Sequence, residues 1–237
     1  MKAKISGKTC KLFWLGSISY REAWQLQQEL SLARRNVMGE DTLLLAEHLP
    51  VYTMGRSGSM ANVKASKQTL KAKGVEVIEV DRGGDVTYHG PGQLVGYPIL
   101  DLRGYKQDLH YYSAMLEEVI IRTLSCYGIK GFREAGLTGV WTPTGKVAAI
   151  GIGARGWVTM HGFSLNINPD MSYFKFINPC GITDRPVVSM KELGVEASLE
   201  DVASKLITAF AEVFNTQFLV PDTSLNRGHK PVWRDER

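Results

Sequence analysis

Cys180 follows Asn178-Pro179 and precedes Gly181, so its thiol belongs to a tight turn after an aromatic-rich segment that holds Tyr173, Phe174 and Phe176. A thiol in a turn is open to a substrate where a core thiol is not, and attack on a carbonyl carbon is the chemistry it would supply. The residue types leave both readings open, nucleophile or plain turn residue. A free thiol has a pKa near ~8.5, so little of it is thiolate at neutral pH and a base or cation must stand beside it. His89 and His161 are the candidates that the residue types offer. Taken alone, Lys146 reads as a solvated lysine at a hairpin tip beside the turn Thr142-Pro143-Thr144-Gly145. Either histidine can supply the base of a Cys–His pair. Neither has a second ligand at metal spacing, with no His-x-x-x-His and no Cys-x-x-Cys, which argues against zinc. His48, His110 and His229 read as surface or cap residues. Cys126 reads as a core residue of an amphipathic helix, and Cys10 lies in a basic N-terminal stretch with nothing reactive around it.

A second concentration of polar groups is the run Arg82-Gly83-Gly84-Asp85-Val86-Thr87-Tyr88-His89-Gly90-Pro91-Gly92-Gln93-Leu94-Val95-Gly96-Tyr97-Pro98, with five glycines and two prolines. It lies between Val75–Val80, which has the β-branched content of a strand, and a second strand-like run from Leu94 to Leu102. Glycine presents no Cβ and tolerates positive φ, so such a loop lets backbone approach a ligand closely. A bulged hairpin turn needs only the Gly-Gly pair. Arg82, Tyr88, His89 and Gln93 bring more hydrogen-bonding side chains than a turn requires.

These groups need a frame. Ser19-Tyr20-Arg21-Glu22 is a capping box, and Ala23, Leu26, Leu30 and Ala33 follow at helical spacing, which predicts a helix from Tyr20 to Arg35. Thr42–Ala46 and Val51–Met54 read as strands. Ser66–Lys73 reads as a helix closed by Gly74. Asp108–Tyr127 places Leu109, Tyr112, Leu116, Val119, Ile120 and Leu124 on one face and ends at Gly128. Leu137–Trp141 and Val147–Ile152 read as paired strands, Trp157–Ile167 as the next after a turn at Gly153–Gly156, and Leu199–Phe214 as a last helix capped by Ser198. The tail from Asp222 is polar and charged. Strands in the middle with helices around them give an α+β fold, a mixed sheet flanked by helices.

The chain has 237 residues, 44% hydrophobic and 22% charged, enough for one large domain: residues 1–221, with 222–237 as a polar tail. A net charge of +4 suits acidic protein partners and is too small to argue for nucleic acid. No stretch approaches the ~18 apolar residues of a membrane span. The apolar run Leu12–Leu15 is too short for a signal-peptide core. Three scattered cysteines do not form a disulfide framework. Together these describe a soluble, reduced, cytoplasmic protein.

The Gly-rich run resembles the signature of the lipoate-protein octanoyltransferases, R-G-G-x-x-T-Y-H-G-P-G-Q-L-V-x-Y. Two further blocks agree in order and spacing. One joins Thr138-Gly139-Val140-Trp141 to Lys146–Ile152 and His161–Asn168; the other is Phe176-Ile177-Asn178-Pro179-Cys180-Gly181-Ile182. The resemblance covers residues 82–182. It implies a single domain of the biotin/lipoate ligase-like type, with Cys180 as acyl-accepting nucleophile and Lys146 as its proton partner, the two titrating as a coupled pair. Arg82, Gly83, Gly84, Asp85, Val86, Thr87, Tyr88 and His89 would shape the substrate site. Ala149, Ile150, Gly151, Gly162, Phe163 and Ser164 would line the acyl channel, with Ser164 where many relatives carry alanine. His161 would be a structural neighbour.

The implied reaction moves octanoyl from octanoyl-acyl carrier protein to a lysine of a lipoyl domain, in 2-oxoacid dehydrogenase complexes or the glycine cleavage H protein, without cofactor, metal, nucleic acid or membrane. Burial of the chain supplies up to roughly 0.8 kcal/mol per methylene, enough for a closed channel to select length. An ATP-dependent lipoate ligase on the same fold is one alternative. It would be expected to carry a Gly-Gly-Gly core with a His-Asp pair where this chain has Tyr88-His89-Gly90-Pro91-Gly92-Gln93. A non-catalytic acyl- or lipoyl-domain-binding protein is another, with no reason to keep both Lys146 and Cys180.

Overall fold

Ser19 accepts the backbone N–H of Glu22 while the Glu22 carboxylate accepts that of Ser19, and this reciprocal cap opens the first helix. The structure, a computed structural model, describes residues 8–178 and 185–219. Its elements are β1 Lys8–Ile18, α1 Tyr20–Arg35, β2 Thr42–His48, β3 Val51–Met54, α2 Lys67–Ala72, β4 Glu76–Glu79, β5 Val86–His89 and β6 Gln93–Ile99. Then follow α3 Leu109–Ser125, β7 Phe132–Glu134, β8 Leu137–Thr142, β9 Gly145–Arg155, β10 Val158–Asn166, α4 Leu199–Phe214 and β11 Thr216–Leu219.

Eight strands form one mixed sheet in the order β11-β1-β2-β6-β10-β9-β8-β7, and β4-β3-β5 form a smaller one. β11, β1 and β2 run parallel; the pairs from β2 to β7 are antiparallel. One face of the large sheet packs Leu43, Leu45, Leu94 and Leu165 against Leu116 and Ile120 of α3 and Leu206 and Phe210 of α4. The other face packs Leu44, Val95 and Tyr97 against Tyr20 and Ala23 of α1. Burial on both faces accounts for the continuous apolar runs of β2 and β6. The α+β reading holds. No helix among the described residues is long and apolar enough to cross a membrane.

Several details differ from the sequence reading. The Gly-rich run is not one loop, because Val86–His89 pairs antiparallel with β3 as strand β5. The strand expected from Leu94 to Leu102 is Gln93–Ile99, followed by a 3-10 turn at Leu102–Gly104. β9 continues past Ile152 to Arg155, so the turn falls at Gly156-Trp157 and not at Gly153. β1, β7 and β11 carry no clean alternation that would mark them as strands in the sequence. The buried stripe of α1 is Tyr20, Ala23, Gln27 and Ser31, whereas Leu26 and Leu30 are only half-buried. The stripe thus includes polar residues, and Gln27 accepts the His161 backbone N–H at 2.9 Å. Cys126 is exposed: α3 ends at Ser125, and the cap residue leaves the apolar face. Cys10 is fully buried in β1, and burial pushes its thiol well above the ordinary range. The polar tail from Asp222 lies outside the described residues.

Candidate functional site

The carboxyl-terminal half of the large sheet meets the small sheet at a cavity of about 550 Å³. Its walls take in Arg82–Thr87, His89, Lys146, Ala149, Ile150, Gly151, Gly162, Phe163 and Ser164, so the sequence-separated blocks converge on one space. Tyr88 turns the other way. Alternation along β5 sends it beneath the small sheet, where it is 1% exposed and stacks on Tyr173 with ring centres 4.7 Å apart. Cys180 lies outside the described residues. The chain leaves them at Asn178, whose N–H donates to the Asn62 carbonyl oxygen at 2.8 Å. It returns at Arg185, whose guanidinium lies over the Trp141 ring at 5.6 Å.

The cavity floor is made of small side chains. Ser164 of β10 stands between Val95 of β6 and Ala149 of β9, and Gly162 lies opposite Gly151 in the next register. Residues 149–152 are half-buried, open on the cavity side, while the rest of the sheet core is closed. A slender apolar chain fits such a floor, because at Ala149, Gly151, Gly162 and Ser164 nothing larger than a methyl or hydroxymethyl group rises from the backbone.

The Gly-rich wall is built around Arg82. Its Nη2 donates to the carbonyl oxygens of Thr53 (2.6 Å) and Asp85 (2.7 Å), its Nε to the Thr53 hydroxyl (3.2 Å) and its Nη1 to the Gly83 carbonyl (2.9 Å). The guanidinium thus organises the loop's own backbone. Gly84 holds φ at +85°, a conformation L side chains rarely adopt. The Asp85 carboxylate accepts the Val86 N–H at 2.7 Å, the Ser59 N–H at 3.3 Å and the Asn62 side-chain amide. It ties the wall to the same Asn62 that anchors Asn178.

Along the cavity wall runs a chain of buried hydrogen bonds. Arg82 donates to the Thr53 hydroxyl, which lies 3.3 Å from His89 Nε2; His89 Nδ1 lies 2.7 Å from Gln93 Oε1. Gln93 donates to Asn166 at 2.8 Å, and Asn166 to the Val188 carbonyl at 3.1 Å. Val188 N–H then donates to the Lys146 carbonyl at 2.9 Å. Because Gln93 Oε1 can only accept, Nδ1 carries the His89 proton and Nε2 takes the Thr53 hydroxyl. Burial pushes His89 down to about 3 and His48 to about 4, so both rings are neutral. His161 is engaged from both sides, by Tyr20 at 3.4 Å and by Asp81 at 2.7 Å. That hydrogen bond holds the Asp81 carboxyl below its usual range.

His48, read as a surface or cap residue, is fully buried, with Nε2 2.6 Å from the Tyr97 hydroxyl. These imidazoles brace one another and Tyr20, which stacks on His89 at 5.7 Å. Their ring nitrogens are committed to the protein, and Lys146 brings a further basic side chain to the cavity wall.

Lys146 is 7% exposed, far from the solvated hairpin lysine its sequence position suggested. The turn is there, but Pro186–Val188 lies beside β9 and covers it, with Lys146 N–H donating to the Pro186 carbonyl at 2.9 Å. Its ammonium lies over the Trp141 ring at 5.4 Å. Both ends of the undescribed stretch 179–184 are therefore pinned at the cavity, one through Asn62 and Asp85, the other against Lys146 and Trp141. Among the described residues no His/Cys/Asp/Glu group is placed to hold a metal ion. Tyr20, Asn62, Glu117 and Asn166 carry no signal as site residues in the sequence, because each reaches the site from a different element.

Comparison with known proteins gives the family and the fold. The family model described as the lipoyl protein ligase A/B catalytic domain matches residues 19–211. The octanoyltransferase of Solibacter usitatus is 48% identical over 218 residues, covering 92% of this chain and 98% of the relative. That of a Synechocystis species is 46% identical over 230 residues, covering 97% of each. Among solved structures, a bi-partite lipoate protein ligase from Thermoplasma acidophilum superimposes with TM-score 0.70 at 16% identity, covering 90% of this chain and 87% of that one. A lipoate-protein ligase A bound with ATP gives 0.70 at 14% identity, covering 91% and 88%. Those two likenesses speak to the fold. With the family model spanning the elements that build the cavity, and curated relatives near half identical along almost the whole chain, the chain belongs to the lipoyl protein ligase A/B catalytic family, among its octanoyltransferases, and is an acyltransferase.

Proposed function

We propose that the chain transfers an octanoyl group from octanoyl-acyl carrier protein to a specific lysine of lipoyl-accepting domains, through a thioester on Cys180. The observation that carries this reading is a buried lysine, Lys146, in a small-residue cavity whose rim holds both ends of the stretch containing Cys180. In the first half-reaction Lys146 accepts the Cys180 proton. The thiolate attacks the donor carbonyl carbon, the new C–S bond forms, the donor's C–S bond breaks, and the departing phosphopantetheine thiol takes the proton back. In the second half the acceptor lysine's neutral amine attacks the Cys180 thioester. The amide C–N bond forms, the amine proton passes through Lys146, and Cys180 leaves as the thiol.

The floor of Val95, Ala149, Gly162 and Ser164 would bury the acyl chain, with Arg82–His89 as its wall. The acceptors are lipoyl domains of 2-oxoacid dehydrogenase complexes and the glycine cleavage H protein, and the product is the first intermediate of protein lipoylation. The catalytic unit is residues 1–221, with 222–237 as a tail, and its setting is the cytoplasm. No cofactor enters the balance, because the donor thioester already carries the activation.

Intact-protein mass spectrometry after mixing with octanoyl-acyl carrier protein tests the scheme. The chain should gain one octanoyl mass on the Cys180 peptide and pass it to a lipoyl domain in nucleotide-free buffer. The same adduct on Cys180→Ala protein, or AMP release coupled to acceptor modification from free octanoate and ATP, overturns it.

A further inference from the structure

Lys146 lies across a position where a side chain is missing. A Cβ built on Gly139 of β8 would stand 2.5 Å from Lys146 Cε and 3.1 Å from Nζ, so the end of the lysine occupies the space a larger residue would fill. Gly139 has φ +122° and lies where β8 bulges away from β7, the span Leu137–Trp141 facing only Phe132–Glu134. A bulge of this kind takes a backbone N–H out of the ladder, and a buried N–H needs a partner.

The partner comes from across the core. Glu117 of α3, on an otherwise apolar helix face, accepts the Gly139 N–H at 2.8 Å through Oε1. Its Oε2 lies 3.2 Å from Arg133 Nε, and its side chain is only 10% exposed. A carboxylate this buried is kept charged by these two partners, the Gly139 N–H on one oxygen and the Arg133 guanidinium on the other.

We propose that Glu117 is the positioning residue for Lys146: by fixing the Gly139 backbone in its bulged conformation it sets the bed on which the lysine lies and the place its ammonium reaches in the cavity. The inference rests on the reading of Lys146 as the proton carrier. Glu117 touches no substrate. It acts through a hydrogen bond that an amide oxygen can replace and that a shorter carboxylate cannot reach.

The test uses the full chain with octanoyl-acyl carrier protein and a lipoyl domain, comparing Glu117→Gln, Glu117→Asp and Glu117→Ala by kcat, donor KM and the pH profile of kcat. Glu117→Gln should keep kcat within a few-fold of the parent and leave the profile unshifted. Glu117→Asp and Glu117→Ala should lower kcat by up to roughly 10²-fold, the cost of a misplaced catalytic group, with donor KM little changed and the profile displaced. Should Glu117→Ala fail to fold, the Gln–Asp contrast still decides. Activity retained in Glu117→Asp, or lost in Glu117→Gln as fully as in Glu117→Asp, overturns the positioning role. An unmodified chain that forms no Cys180 adduct overturns the reading beneath it, a result the parent alone reports.

Discussion

The Asn178 N–H donates to the Asn62 carbonyl oxygen at 2.8 Å, and the Asn62 side chain is in turn held by the Asp85 carboxylate. The segment leading to Cys180 and the Gly-rich wall are thus one mechanical unit, although the two are far apart in sequence. Asp85→Ala leaves the Val86 and Ser59 N–H groups and the Asn62 amide without their acceptor. It should cost about 1–3 kcal/mol of stability and slow acyl-enzyme formation. Urea unfolding and the rate of octanoyl adduct formation measure the two effects, and an unchanged rate in a destabilised protein would separate the wall from the nucleophile segment.

Gly84 tests the wall from the backbone side. With φ at +85°, Gly84→Val must either carry strain of about 1–3 kcal/mol or move the loop that Arg82 organises. The expected result is a folded protein by circular dichroism with acylation abolished. Wild-type rates in that variant would reduce the loop to a structural connection.

The cavity floor predicts specificity. Ala149→Leu places a branched side chain beside Ser164 and Gly162, shortening the space for an acyl chain. Preference should move from octanoyl to hexanoyl donors, by roughly fourfold in kcat/KM for each methylene no longer buried at ~0.8 kcal/mol. Equal losses for both donors would mean the side chain blocks entry and does not set length.

The neutral histidines predict a pH dependence of stability. Folded-state values near 4 for His48 and 3 for His89 lie below the unfolded value of about 6.5, so between these limits the unfolded chain binds more protons. Stability is therefore full above roughly pH 6.5 and falls as pH drops toward 4, by an amount on the order of a few kcal/mol for the pair. Urea midpoints between pH 4.5 and 7 should show this slope. His48→Asn should flatten part of it; a slope unchanged in that variant would place its origin elsewhere.

What could be read in advance followed from locality. Helices α1 and α4 announce themselves through the Ser19 and Ser198 caps, and all of α1, α3 and α4 through a 3.6-residue period; their bounds agree with the structure to within two residues. The strand in Val86–His89 was hidden by flanking glycines. The burial of His48 and Lys146 was hidden because what covers them, Tyr97 and Tyr20 in one case and Pro186–Val188 in the other, arrives from distant sequence. Glu117 shows the same effect from the opposite side: a glutamate on a core helix looks like a pattern error until Gly139 is placed opposite it. Cys126 failed for a smaller reason, since one residue past a helix end is enough to leave the core.

The buried series from Arg82 through Thr53, His89, Gln93 and Asn166 to Val188 has every donor pointing the same way. Such a series is an insulator, not a wire. To relay a proton each hydroxyl, ring and amide would have to reverse in turn, and the amide nitrogens of Gln93 and Asn166 face the Tyr88 and Val188 carbonyls, which have no proton to return. In the proposed reaction the thiol's proton leaves on the departing thiol and the acceptor amine's proton returns to Cys180 through Lys146, so neither needs a path along this series, and the proton traffic of each turnover closes on itself within the cavity.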